Sequence, residues 1–392
     1  MGETVINSTG RVEVTVSDIP DIAQLEAQWV QLETVVRPSY FLSWGWVGTW
    51  LRWLLPSIEP KLLEVKRNGD TVGLALLVKN RQARRGLILP SNMIFVNETG
   101  DPYYDLLTIE YNGLLLDPLY ARESAIACLD YLHKQEKNWD ELIVRAADSS
   151  NQLTDPELFE HESLRLKVTR TRPSWFVDLN EIRETNKSYL ENLSGNTRYQ
   201  IRRAVRECEK LGKIEFSYAQ TTEEALQYLS GLIELHQAYW TRKGKIGCFA
   251  NPLFLKFHQR LIRERFGLRE VQLVSVKLGT HILGYLYSLV SYGHVNFYQC
   301  GFNYQLGAKL KPGLVAHYKA IEYNMASGNS VYDFLAGDDR YKRSLSTDKH
   351  ELLWVSIQKN RLRFRLEDAF NGFVLNCKNA VRHRHKLYGQ AG

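Results

Sequence analysis

From Val271 to Cys300 the sequence reads as three strands in close succession: Val271–Lys277, Ile282–Tyr292 and Val295–Cys300, turned at Gly279 and Gly293. Connections that short force neighbouring strands to run antiparallel. A helix from Pro312 to Ala326 comes next, then a short strand Val331–Leu335 and a last strand near Leu352–Ile357. Helices at Lys187–Leu193, Arg198–Leu211, Glu223–Arg242 and Pro252–Phe266 precede the meander. Helix, meander, helix, strand is an α+β pattern and argues against strict β-α-β alternation.

The first half of the 392 residues repeats that order of elements without repeating the sequence. Ile22, Leu25, Trp29, Leu32 and Val36 recur at helical spacing, and a tryptophan-dense helix comes after them over Ser43–Leu54, capped by Ser43. Strands Leu62–Lys66 and Val72–Lys79 flank Asn68-Gly69, a hairpin turn signal. Arg122–Lys137 reads as a helix and Leu142–Ala146 as a strand. Leu153–Pro173 is polar and charged and is read as the boundary, running into a strand at Trp175–Leu179. The expected division is 1–170, 171–360 and a basic amphipathic tail 361–392, whose stripe Leu362, Leu366, Phe370, Phe373, Val374 and Val381 is expected to dock on the second domain.

With 44% hydrophobic and 24% charged residues, disorder and low-complexity classes fall away. The five cysteines are far apart and form no C-x-x-C, which removes zinc ribbons and thioredoxin-like sites and suits a reducing compartment. No basic stretch followed by an apolar one opens the chain, and no apolar run approaches membrane-spanning length, so a soluble, cytoplasmic protein is expected. G-x-S-x-G, H-E-x-x-H, the P-loop, G-x-G-x-x-G and EF-hand loops are all missing. No metal site is expected.

Three segments carry chemistry. In Asn196–Lys210, Ile201, Ala204, Val205, Cys208 and Leu211 form an apolar stripe, while Arg198, Arg202 and Arg206 recur every four residues on another face. Such arginines either pair with Glu207 and Glu209 or grip a polyphosphate through forked bonds. In Tyr298–Leu314 a strand leads through Lys309 and Lys311 into a helix opened by Pro312-Gly313. Proline suits the first helical position, Gly313 admits a close ligand, and the first-turn N–H groups attract an anion. In Tyr332–Leu345 a short strand ends at a glycine turn crowded with Asp338, Asp339, Arg340, Tyr341, Lys342 and Arg343. Loops at strand ends are common places for sites, although mutual surface salt bridges would explain the same crowd.

Phe41–Trp50, Arg198–Arg203, Trp240-Thr-Arg-Lys-Gly, Tyr298–Phe302, Lys311–Leu314 and Tyr332–Lys342, in that order and spacing, resemble tandem-domain acyltransferases of the GNAT superfamily. Members of this branch are found near cellulose and exopolysaccharide genes and are related in fold to the Fem aminoacyltransferases. The resemblance implies two tandem GNAT-like domains, each a mainly antiparallel mixed sheet flanked by helices, with an acceptor cleft between them. It implies an N-acyltransferase taking an acyl group, acetyl by expectation, from acyl-CoA to an amine on a small molecule or saccharide, without a covalent enzyme intermediate.

Under that resemblance Lys309, Lys311, Gly313, Leu314 and Tyr298 would meet the donor, and Arg198, Arg202, Trp240 and Lys243 the substrate. Asp338, Asp339 and Tyr341 are the candidate proton carriers. Lys342, or strand N–H groups near Tyr298–Gly301, would stabilise the oxyanion. The superfamily signature Q/R-x-x-G-x-G/A is not present around Gln305–Gly313. Two alternatives stay open: an aminoacyl-tRNA donor of the Fem type, which alone would bring nucleic acid, and a non-catalytic scaffold of the same fold. A peripheral-membrane or biosynthetic-complex contact fits either enzyme reading.

Overall fold

The computed structural model describes residues 12–54, 58–83, 90–159, 163–185 and 187–367. The first run comprises β1 (Val12–Asp18), α1 (Ile22–Val36), α2 (Trp44–Leu54), β2 (Lys61–Arg67), β3 (Asp70–Ala83), β4 (Pro90–Val96), β5 (Leu115–Leu116), α3 (Ala121–Lys134) and β6 (Glu141–Asp148). A long strand β7 (Leu164–Asp178), α4 (Leu179–Glu184) and α5 (Gly195–Glu209) lead into the second. That run comprises β8 (Ile214–Tyr218), α6 (Thr222–Arg242), α7 (Pro252–Arg265), β9 (Val271–Leu278), β10 (His281–Ser291) and β11 (His294–Phe302). It continues through α8 (Pro312–Ala326), β12 (Val331–Ala336), α9 (Arg340–Leu345) and β13 (Asp348–Lys359).

Among the described residues these strands form one mixed sheet, ordered β1-β2-β3-β4-β6-β13-β7-β12-β11-β10-β9-β8, with β5 beside β3. Each half has an antiparallel meander, a crossover helix and then a parallel strand: β4 beside β6 across α3, and β11 beside β12 across α8. The next strand of each half is exchanged. β7 comes after the first half yet pairs with β12, while β13 comes after the second yet pairs with β6. β7 and β13 also pair antiparallel with each other, from Asp348 opposite Phe176 to Lys359 opposite Leu164. Neither half therefore completes its sheet alone.

A single core spans the seam, joining α1 and α2 to α6, α7 and β10. Helix α2 is buried nearly all round, because Trp46 packs edge-on against Phe257 at 4.9 Å and against Tyr298 at 5.7 Å. The α+β architecture with a large mixed sheet flanked by helices is as expected, and Ser43 starts α2 as expected.

Local departures have physical causes. Leu164–Pro173 is strand rather than polar linker: its side chains are largely exposed while its backbone pairs with β13. Lys187–Leu193 shrinks to one tight turn at Tyr189–Asn192, closed by a Ser188–Glu191 capping box. β1 and β8 are sheet-edge strands of alternating burial, too polar to stand out in the sequence. In the tail, 362–367 is helical, but Leu362 and Leu366 face outward while Phe364 and Glu367 are buried. Arg361 and Arg363 both pair with Asp140, just before β6, which ties the described start of the tail there. Positions 368–392 lie outside the described residues.

No helix among the described residues is long and apolar enough to cross a membrane.

Candidate functional site

Strands β11 and β12 pair only from His294–Asn296 to Val331–Asp333. Just beyond, β11 bulges: Tyr287 and Ser288 of β10 face Gln299 and Phe297, leaving Tyr298 as the extra residue. A bulge bends its strand and re-aims the side chains beyond it. The two strands part, and among the described residues the β12-facing edge of β11 past Asn296 has no strand partner. The gap opens into a cavity of roughly 840 Å³. Its walls come from Gln299–Phe302 of β11, the start of α8, the end of α6 with the loop after it, and Asp339 and Tyr341.

At the start of α8 the N–H groups of Leu314 and Val315 donate to the Lys311 carbonyl, at 2.9 and 3.3 Å, and among the described residues that of Gly313 is left without a partner. Lys311 occupies the N-cap position at φ 44° and gives no side-chain cap, and Pro312 supplies the first helical residue. Gly313 lies against Phe302, where an added Cβ would come within 3.3 Å of that ring. Lys311, Gly313 and Leu314 all line the cavity. The Lys311 amino group, however, is turned onto Gln200 of α5, and Lys309 is exposed outside the wall.

The turn after β12 separates residues that the sequence left together. Asp338 is exposed and bonded to Arg343 at 2.6 Å. Asp339 faces the cavity, and among the described residues its carboxylate has no hydrogen-bond or ion-pair partner. The Tyr341 ring stacks on His317 at 5.7 Å and also faces the cavity; burial pushes its hydroxyl above the usual range, so it stays protonated. Lys342 points behind the wall. Its buried ammonium donates to the carbonyls of Ala336 at 2.8 Å and Leu335 at 3.1 Å.

Two carboxylates complete this turn, Glu110 from the first half and Asp333 from β12 itself. Glu110 accepts the N–H of Ala336 at 2.6 Å, and burial raises its pKa to about 7. Asp333 accepts from Ser174, Tyr111 and the N–H of Leu335, and burial raises its pKa too. Burial lowers that of Lys342, against the pull of Glu110, Asp339 and Asp333. Gly337, at φ 144°, makes room, since a Cβ there would lie 3.1 Å from the Lys342 ammonium.

Of the remaining expected residues, Trp240 lines the cavity, while Arg198, Arg202 and Lys243 do not. Tyr298 is turned into the seam core among Phe41, Trp46 and Phe254, donating to the Leu107 carbonyl at 3.1 Å. A bulged residue takes a side its neighbours do not, which alternation along the strand could not foretell. Cys300 does line the cavity, but burial pushes its thiol up to about 12, so no thiolate is present at neutral pH.

His236, His317, Glu110 and Asp333 were not singled out in the sequence. Glu110 reaches Ala336 across 226 positions, beyond any local pattern. Asp333, by contrast, sits inside the Tyr332–Leu345 segment, and His236 bonds to Gln237 and to Trp240 four residues on, so the His236–Trp240 spacing was a local signal. Among the described residues no group of three or more His, Cys, Asp and Glu side chains is placed to hold a metal ion.

No curated protein sequence matches the chain. Residues 195–343, which supply the cavity walls, match the family model described as acetyltransferase (GNAT) domain. Among solved structures the chain is similar to FemX, at 12% identity and a TM-score of 0.58, over 90% of this chain and 99% of that one. It is similar to L-PGS from Bacillus licheniformis at 13% identity and a TM-score of 0.52, over 90% and 96%. A third is the C-terminal domain of a putative lysylphosphatidylglycerol synthetase from Agrobacterium fabrum, at 9% identity and 0.51, over 91% and 97%. Likeness at such identities is likeness of fold. The second half thus carries a GNAT-type acyltransferase fold, set within a larger architecture similar to that of FemX.

Proposed function

We propose that the protein transfers an acyl group, acetyl in the simplest case, from acyl-CoA to a primary amine held in the cavity. The observation that carries this reading is the parting of β11 and β12, whose gap runs to the uncapped start of α8. An extended amide-bearing arm can add to the free edge of β11, as a strand would. Its phosphates then meet the helix N-terminus and Lys311. The residues present fit such a donor: Gly313 keeps that approach free of side chain, and the Lys311 amino group can exchange Gln200 for a phosphate.

The chemistry rests on the two groups facing the cavity on the turn. Asp339, without a partner among the described residues, draws in the acceptor as its ammonium form, which gives up one proton to water before the neutral amine can attack. After the amine attacks the thioester carbon, the C–S bond breaks and the departing thiolate needs a proton. Tyr341, neutral and facing the cavity, supplies it. Lys342, bonded to the carbonyls of Leu335 and Ala336, holds the turn and so positions Tyr341 and Asp339. The cysteines take no part, because the transfer is direct.

A second reading keeps the fold and changes the donor to an aminoacyl-tRNA. Arg202, Arg203 and Arg206 favour it: they are exposed on α5, and within the described residues none forms an ion pair, since Glu207 is taken by Lys210. Such binding would weaken steeply with salt. The test is a melting panel of acetyl-CoA, longer acyl-CoAs, free CoA and charged tRNA, followed by thiol release in the presence of amines. A CoA-dependent rise in Tm with amine-dependent thiol release supports the first reading. A rise with charged tRNA and none with CoA replaces it with the second.

A further inference from the structure

Behind Trp240 the cavity wall holds a histidine in a defined tautomer. The Trp240 indole N–H, which can only donate, lies 2.8 Å from His236 Nε2. Nε2 is therefore the bare nitrogen, and the ring hydrogen sits on Nδ1, 3.0 Å from Gln237 Oε1. The Gln237 amide is fixed in turn, donating to the Ile246 carbonyl at 2.8 Å. Gly247 admits it, since a Cβ there would come within 2.3 Å of Gln237 Oε1. The ring is further held edge-on against Phe249 at 5.1 Å. A neutral imidazole in a cavity wall, with one nitrogen oriented by a second group and the other bare of hydrogen, has the arrangement of a general base.

We propose that His236 is the general base of the transfer, taking the proton of the attacking amine at Nε2 once that amine displaces the Trp240 indole N–H. This rests on the acyl-transfer reading and adds the group that reading lacks. The amine forms its C–N bond to the thioester carbon, and one N–H proton passes to Nε2, leaving an imidazolium. The C–S electron pair leaves with sulfur, which takes the Tyr341 proton, and the imidazolium proton restores the phenol. The products are an amide and a thiol.

Several groups bear on the ring. The Cys248 thiol lies 3.7 Å from Nε2 and is held protonated by burial, and the Lys245 ammonium sits 5.2 Å from the centre of the Trp240 ring. Burial keeps His236 below its ordinary value, and among the described residues no carboxylate opposes that.

The experiment uses the full chain, acetyl-CoA, and glucosamine and ethanolamine as amine probes, with kcat/KM followed from pH 4.5 to 9. The wild-type rate should fall on the acid side with an apparent pKa below 6.5, as a neutral base is lost. His236→Gln, which can still bond both neighbours, should lose about 10²–10⁴-fold in turnover and the acid limb with it, while acetyl-CoA affinity by calorimetry stays within threefold. Trp240→Phe removes a donor to the neutral nitrogen, so its acid limb should move to higher pH. If both variants lose rate equally and keep the wild-type limb, His236 only holds Trp240 and the proposal falls. A wild-type protein that binds acetyl-CoA yet acylates neither amine overturns the transfer reading itself, whereas an active His236→Gln with an unchanged limb overturns this inference alone.

Discussion

Lys342 and Ala336 are joined by a 2.8 Å hydrogen bond from a buried ammonium to a backbone carbonyl, at the point where β12 ends and the cavity turn begins. The same ammonium takes the Leu335 carbonyl, and Leu335 itself sits at φ 61°, a left-handed conformation unusual for a bulky residue. The lysine thus braces a strained strand end from behind. Lys342→Met, similar in length and uncharged, should lower stability by about 1–3 kcal/mol, because it strands two buried carbonyls. Turnover should fall while acetyl-CoA still binds. Thermal melts beside single-turnover rates check this; a wild-type melt and a wild-type rate would remove Lys342 from any role.

Tyr341 touches the reaction more directly. Its ring stacks on His317, and its hydroxyl bonds to nothing else among the described residues. Tyr341→Phe should therefore melt close to wild type yet release thiol roughly 100-fold more slowly, the usual scale for losing one proton-transfer group. Donors with a more acidic leaving thiol should recover much of the loss. A phenylalanine enzyme at full rate would show that water protonates the thiolate.

At the start of α8, close approach and charge can be tested separately. Gly313→Val should weaken acetyl-CoA binding by tenfold or more, since even a bare Cβ meets Phe302 at 3.3 Å. Lys311→Gly should weaken it too, by removing a cation. Yet it should also stabilise the fold, by up to about 1 kcal/mol, because φ 44° suits glycine better than lysine. Calorimetry and melts should move in opposite directions for Lys311→Gly; parallel losses in both would argue that Lys311 serves the fold through Gln200 alone.

The seam between the halves should respond to pH. Burial raises the Glu33 carboxyl to about 7, and it accepts the N–H of Trp44 at 2.8 Å; Glu270, close enough to repel it, is raised as well. A carboxyl raised on folding is protonated in the native state where the unfolded chain is already ionised. Its stabilisation is therefore present at low pH and lost as pH rises from about 4.5 through 7. Glu33→Gln should flatten that slope and raise Tm at pH 8 while changing it little at pH 4.5. Equal shifts at both values would mean that packing, not ionisation, governs the site.

The meander, the Pro312 helix start, the helix α6 and the apolar stripe of α5 were legible because each is set within a few residues: turn glycines, a proline at N1, apolar periodicity. Asp338 and Asp339 show where that reach ends. Adjacent in sequence and identical in chemistry, one is spent on Arg343 outside while the other faces the cavity. Asp339 holds the N-cap position of the short helix α9 and Asp338 lies just before it, a distinction that the charged sequence concealed.

Local pattern determined that this chain makes α+β elements in two similar runs, and it pointed to the strand–helix junction that borders the cavity. Tertiary structure alone decided that β7 and β13 change places, that Tyr298 turns into the seam, and that Lys342 is buried behind the turn on the carbonyls of Leu335 and Ala336. The reason is range. The bond from Ala336 to Glu110 spans 226 positions, and that from Ser174 to Asp333 spans 159. Periodicity describes which face of an element is apolar, but not which distant element will cover it, and the candidate site is made where those distant elements meet.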